Sequence, residues 1–155
     1  MENQERVYYF KEAIGFGFIG ALCTGILYVL LERSNLLVSS PFHLMGGIYS
    51  FLKIYIPSFL GSYFSLRTWR WGEIERNGRK EDSVWLSTIM GTLFGYLIFF
   101  ILFKIISFFP NDFKYLFLFR MGFVISGSSA FYAWTIIPTF IGAFITAHGR
   151  KGTFY

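Results

Sequence analysis

At 155 residues, 54% of them apolar and 15% charged, the chain has the length of one domain and too little charge to cover a water-facing surface, where about 25% is usual. Its net charge of +5 is spread along the chain without a basic and aromatic cluster, which excludes a nucleic-acid surface and suits anionic lipid headgroups. Cys23 is the single cysteine, so an intrachain disulfide and a cysteine metal cluster are excluded, and its apolar setting predicts a buried, inert thiol.

Residues 1–12 read as a polar arm. Met1 to Arg6 carry two acids and one base, which fits neither a cleaved secretory signal nor an Arg-rich transit peptide. A first helix is predicted over 13–31, a stretch of 19 uncharged residues and long enough to cross a bilayer. Gly17, Ala21 and Gly25 recur in it at four-residue spacing, with Gly15 and Gly20 beside them. In hydrocarbon a helix keeps its backbone bonds despite such glycines, which then let another backbone approach closely.

After Glu32-Arg33-Ser34-Asn35, the run Ser39-Ser40-Pro41 predicts the start of a second helix over 42–66, with serine as its cap. Lys53 lies inside that helix and is expected to snorkel towards an interface; Pro57 is expected to bend it. Ser58 and Ser62, with Gly61 and Ser65, form two small-residue ridges. The segment 67–82 holds five bases and four acids and reads as a surface connection, with a helical extension through Trp69-Arg70-Trp71 that puts the tryptophans at headgroup level.

The charged run Asn77-Gly78-Arg79-Lys80-Glu81-Asp82 leads straight into a third helix, predicted over 84–108. From Ser83 to Phe103 no residue is charged, and 21 residues span about 31 Å, close to the hydrocarbon thickness of a bilayer. Ser87, Gly91 and Gly95 give this helix a flat side for packing. A turn at Pro110-Asn111-Asp112 precedes a fourth helix over 118–146, where Gly122, Ser126 and Ala130 repeat the small-residue spacing and Pro138 predicts a kink. His148 to Gly152 then close the chain in water. The predicted fold is an all-α membrane protein, one domain over 1–155 with four transmembrane helices and both termini on one side. Charge is too evenly divided between the two sides to orient it.

Little in the chain points to chemistry. His43 and His148 stand alone near opposite boundaries, which argues against a two-histidine metal site, an acid-base relay or axial haem ligation. Gly15-Phe16-Gly17-Phe18-Ile19-Gly20 matches a dinucleotide-binding string. It follows no strand and is not trailed by an acid about twenty residues on, so that reading fails on context. Transport sites put ionisable groups within the membrane, and here Lys53 is the one candidate. The expectation is therefore a structural or assembly subunit, with a translocase component as the rival, no enzyme activity and no cofactor.

Gly78-Arg79-Lys80-Glu81-Asp82, followed by Trp85, Ser87-Thr88 and Gly91-Thr92-Leu93-Phe94-Gly95, resembles the Tim17/Tim22/Tim23 family of mitochondrial inner-membrane proteins, in which a basic and acidic turn enters a glycine-rich third helix. Gly15, Gly17, Gly20, Ala21 and Gly25 are similar to the family's first-helix run. The resemblance covers about residues 11–95 and, beyond them, hydropathy only. It implies four helices in a curved sheet, termini in the intermembrane space and no catalysis. The family holds protein-import subunits and an accessory subunit of respiratory complex I. Import members carry acids around a groove lined by helices one, two and four. Here Glu12 matches the first such acid, but Arg67-Thr68-Trp69-Arg70-Trp71 stands where another is expected, helix four has none from Met121 to Gly149, and the family's cysteine pair is missing. The resemblance thus implies an accessory subunit of complex I or its supercomplex, partnered by other membrane subunits. Phospholipid such as cardiolipin, or a partner protein, is expected at Arg67, Arg70, Arg79, Lys80, Arg150 and Lys151.

Overall fold

A computed structural model of the chain describes residues 2–34, 48–75, 80–108 and 129–153. Among the described residues there are four helices: α1 (Glu2–Arg33), α2 (Ile48–Glu75), α3 (Lys80–Ser107) and α4 (Ser129–Thr153). Two stretches within them are long and apolar enough to cross a membrane, Arg6–Leu31 in α1 and Val84–Leu102 in α3. The apolar part of α4, Thr135–Gly149, is shorter, while tyrosines, serines, Lys53 and Pro57 lower the hydropathy of α2.

The helices run past their apolar segments. From Glu2 the arm expected over 1–12 is the first part of α1, and α2 runs on beyond 66 through the expected extension at Trp69-Arg70-Trp71 to Glu75. Lys80, Glu81 and Asp82 are the first residues of α3, not part of a turn. Carboxylates in a first turn favour helix by offsetting the positive end of its dipole. α4 carries on through His148-Gly149-Arg150-Lys151 to Thr153. The physical reason is common to all four: charged residues end an apolar run, but Lys, Arg and Glu are good helix formers and do not stop the helix itself. The 32 residues of α1 are about 48 Å long, well beyond the thickness of a bilayer core. The expected starts at 42 and 118, and the turns around 77–79 and 110–112, lie outside the described residues.

α2 packs against each of the other helices, and α4 packs against α1 and α3 as well. Residue pairs give the directions. Gly91 lies on Ser65 and Gly95 on Gly61, so α2 and α3 are antiparallel. Gly17 lies on Phe59 while Phe18 meets Phe51, so α1 and α2 are antiparallel too. Gly61 meets Thr139, and Ser65 bonds to Ala143, so α2 and α4 run parallel. Phe16 against Gly149 and Val84 beside Ala147 put the beginnings of α1 and α3 at the same end of the bundle as the close of α4. The architecture is a parallel α2–α4 pair with α1 and α3 laid antiparallel against it.

Candidate functional site: a packing core of hydroxyls and glycines

One face of α2 carries Ser58, Gly61, Ser62 and Ser65, all buried. These side chains are so short that neighbouring helices approach its backbone closely, and their hydroxyls then reach the neighbours' carbonyls. Ser58 Oγ donates to Gly17 O of α1 at 3.0 Å, Ser62 Oγ to Gly142 O of α4 at 3.1 Å, and Ser65 Oγ to Ala143 O of α4 at 3.1 Å. On the outer side of the same helix, Tyr55 Oη donates to Ile14 O at 3.3 Å. Three serines within eight residues therefore tie α2 to both α1 and α4.

The glycines facing them leave no room for a side chain. A Cβ on Gly95 would sit 2.8 Å from Gly61 N, and one on Gly91 2.7 Å from Ser65 N, both rigid backbone atoms. A Cβ on Gly61 would overlap the Thr139 carbonyl oxygen, and one on Gly142 the Ser58 carbonyl oxygen. Gly20 meets Ser58 Oγ and, 2.9 Å from its would-be Cβ, Gly142 Cα, which makes it the point where α1, α2 and α4 converge.

The sequence-predicted packing residues divide accordingly. Ser87, Gly91 and Gly95 are buried on α3, the two glycines directly on α2, and Ala21 is buried on α1. Gly17 lies on Phe59, whose Cα would be 2.8 Å from an added Cβ. Gly15 and Gly25 do not take part: nothing lies within 4 Å of where a Cβ would stand on either. The reason is angular. With about 100° of rotation per residue, Gly15 points some 160° away from Gly17, and by Gly25 a four-residue stripe has drifted about 80°. Thr24 and Tyr28, back within about 20° of Gly17, are buried instead. Gly122 and Ser126 lie outside the described residues, and Ala130 lies in the first turn of α4. Gly61 belongs to the core on the ridge it shares with Ser65, and Gly20 and Gly142 belong to it although no simple four-residue stripe selects them. Their signal is proximity to hydroxyl residues on other helices, which only the fold supplies.

Apart from Ser87, the remaining buried polar groups on the described residues are mostly threonines that satisfy themselves. Thr24, Thr88, Thr92, Thr139 and Thr146 each donate to the carbonyl four residues back, at 2.6–2.8 Å, and present their methyl groups to the neighbours. Among the described residues no buried side-chain nitrogen or oxygen lacks a partner. The outside is the reverse of the inside. Ile14, Phe18, Leu22, Ile26 and Leu30 on α1, and Ile89, Leu93, Leu97, Ile101 and Ile105 on α3, are exposed, whereas large buried apolar side chains are few. An exposed apolar surface this extended is a liability in water and the ordinary exterior of a helix in lipid.

Aromatic side chains fill the outer grooves. Phe51, Tyr55, Phe59 and Tyr63 stack in a column along α2 with centroids 5.7, 6.2 and 6.3 Å apart, and Arg67 continues the column over the Tyr63 ring. A second column, Phe140, Phe144 and His148, runs along α4, the imidazole 4.2 Å from the Phe144 ring, with Trp85 of α3 packed on Phe144. His148 is thus an exposed stacking group; His43 lies outside the described residues. Cys23, expected to be buried, is exposed, because its direction on α1 is opposite the packed face. The string from Gly15 to Gly20 is a continuous part of α1 and offers no phosphate-binding loop. Of the expected basic contact residues, Arg67 is exposed, Arg70, Lys80, Arg150 and Lys151 fall within helices, and Arg79 lies outside the described residues. Among the described residues no group of three metal-ligating side chains comes together. Compared with protein-family models, curated proteins and solved structures, the chain matches none.

Proposed function

We propose that the chain is a non-catalytic membrane scaffold with four membrane-crossing helices, an accessory subunit of mitochondrial respiratory complex I or of a supercomplex containing it. The observation that carries the scaffold reading is the filled interior: hydroxyls of α2 bonded to neighbouring backbones, glycines in backbone contact, and every described buried polar atom partnered. A transport pathway needs ionisable or unpaired groups around a hydrated route, and an enzyme needs a nucleophile, acid, base or metal in a pocket. A packed interior needs neither and makes a stiff spacer. Its apolar flanks on α1 and α3 suit acyl chains or the helices of other subunits. The inner-membrane location and the complex I role rest on the resemblance of residues 78–95 to the Tim17/Tim22/Tim23 family and on the departures at Arg67 and Arg70.

Affinity purification of the tagged chain in mild detergent tests the assignment. The expected result is co-migration with NADH-oxidising assemblies on a native gel. Recovery with protein-import partners, and none with NADH oxidation, overturns it in favour of an import-translocase subunit.

A further inference from the structure

A cavity of about 230 Å³ opens between α2 and α3, lined by Phe64, Arg67, Thr68 and Phe94. Phe64 and Phe94 form its apolar wall, their rings tilted against one another with centroids 6.1 Å apart. The Thr68 hydroxyl donates to its own helix, to Phe64 O at 2.9 Å and Ser65 O at 3.2 Å, which among the described lining residues leaves the Arg67 guanidinium as the side-chain donor for an occupant. That guanidinium stands 5.9 Å from the Tyr63 ring centroid and is exposed; among the described residues no carboxylate pairs with it.

Its depth is the informative feature. The contacts of Gly91 with Ser65 and of Gly95 with Gly61 set the α2–α3 register, which brings Arg67 level with Ile89. Ile89 is five residues inside the apolar stretch that begins at Val84, about 7.5 Å along the helix axis. An arginine that far in can lift its head to the headgroup layer, but it does so best where an anion meets it. Phe64 and Phe94 offer an acyl chain an apolar wall to lie along. The guanidinium fork matches a phosphate through paired hydrogen bonds, and a lipid without its own cation does not compete for that phosphate.

We propose that this cleft holds one anionic phospholipid, its phosphate on Arg67 and an acyl chain along Phe64 and Phe94. The proposal rests on the membrane reading above and is independent of which assembly the chain joins.

The test uses the full chain in uncharged maltoside micelles, with helix melting followed by circular dichroism while dioleoyl phosphatidylglycerol or dioleoyl phosphatidylcholine is added. The expected result is a saturable rise in Tm with phosphatidylglycerol, requiring at least tenfold more phosphatidylcholine to match. Arg67→Gln is expected to erase the difference between the two lipids, with its lipid-free Tm unchanged, and Arg67→Lys to keep the preference at lower affinity. An Arg67→Gln chain that still prefers phosphatidylglycerol as the wild type does overturns the site, because the response then comes from bases elsewhere. So does loss of a co-purifying membrane polypeptide from Arg67→Gln with the lipid response intact, which makes a protein carboxylate the occupant. A chain folded in micelles without lipid preference loses only this site; a chain monodisperse and helical in water without detergent loses the membrane reading itself.

Discussion

α1 and α3 carry the same kind of glycine stripe and use it differently. On α3, Ser87, Gly91 and Gly95 are all buried, and the buried arc, which also takes in Thr88, Thr92 and Phe99, spans about 140° because α2 and α4 press on it over a broad front. On α1 the buried arc from Gly20 to Ala21 is narrower, about 100°, so Gly17 and Gly20 fall inside it and Gly15 and Gly25 outside. A stripe of small residues licenses close packing, but the partner's position decides which of its members are used. The same difference explains why Cys23 points outward on α1.

Substitutions can break or sharpen that contrast. The largest effect is expected where backbone meets backbone at the junction of α2, α3 and α4: Gly61→Leu should cost more than about 3 kcal/mol, the upper end of overpacking, and abolish the monodisperse species on size exclusion in micelles. Within α1 the expected order is clear-cut. Gly17→Leu should lower stability by about 1–3 kcal/mol against the Phe59 backbone, while Gly25→Leu stays within about 0.5 kcal/mol of wild type, both read from thermal unfolding in micelles. Equal losses for the two would remove the angular argument. Ser65→Ala deletes one interhelical donor and leaves Ala143 O its place in the helix, so about 0.6 kcal/mol is expected. The smallest change has the opposite sign: Gly15→Ala, in open space, should stabilise by a few tenths to about 1 kcal/mol through helix propensity.

The helices were legible in the sequence as uncharged runs, and the α3 face as a four-residue spacing, because both follow from the geometry of one helix taken alone. Helix ends were legible only in the extension of α2 through Trp71. Charge marks where an apolar run stops, and α1, α2 and α4 continue past that point as helix. The core of the site was half legible. Ser58, Gly61, Ser62 and Ser65 stand out as small residues, but that their hydroxyls donate to Gly17, Gly142 and Ala143 depends on the crossing of three helices. Gly142 had no such cue, since its role appears only opposite Ser58. The aromatic column along α2 was visible as an i, i+4 series from Phe51 to Arg67, a pattern overshadowed by how common aromatics are in this chain.

The central claim is that backbone contact through α3's glycines holds the scaffold together, whatever larger assembly it enters. It is tested most directly by expressing Gly91→Leu and Gly25→Leu side by side in the native membrane and measuring how much of each chain enters the high-mass assembly on a native gel. The account predicts that Gly91→Leu is lost from it, with redox turnover per remaining complex unchanged, and that Gly25→Leu enters as wild type does. Full incorporation of Gly91→Leu would contradict it.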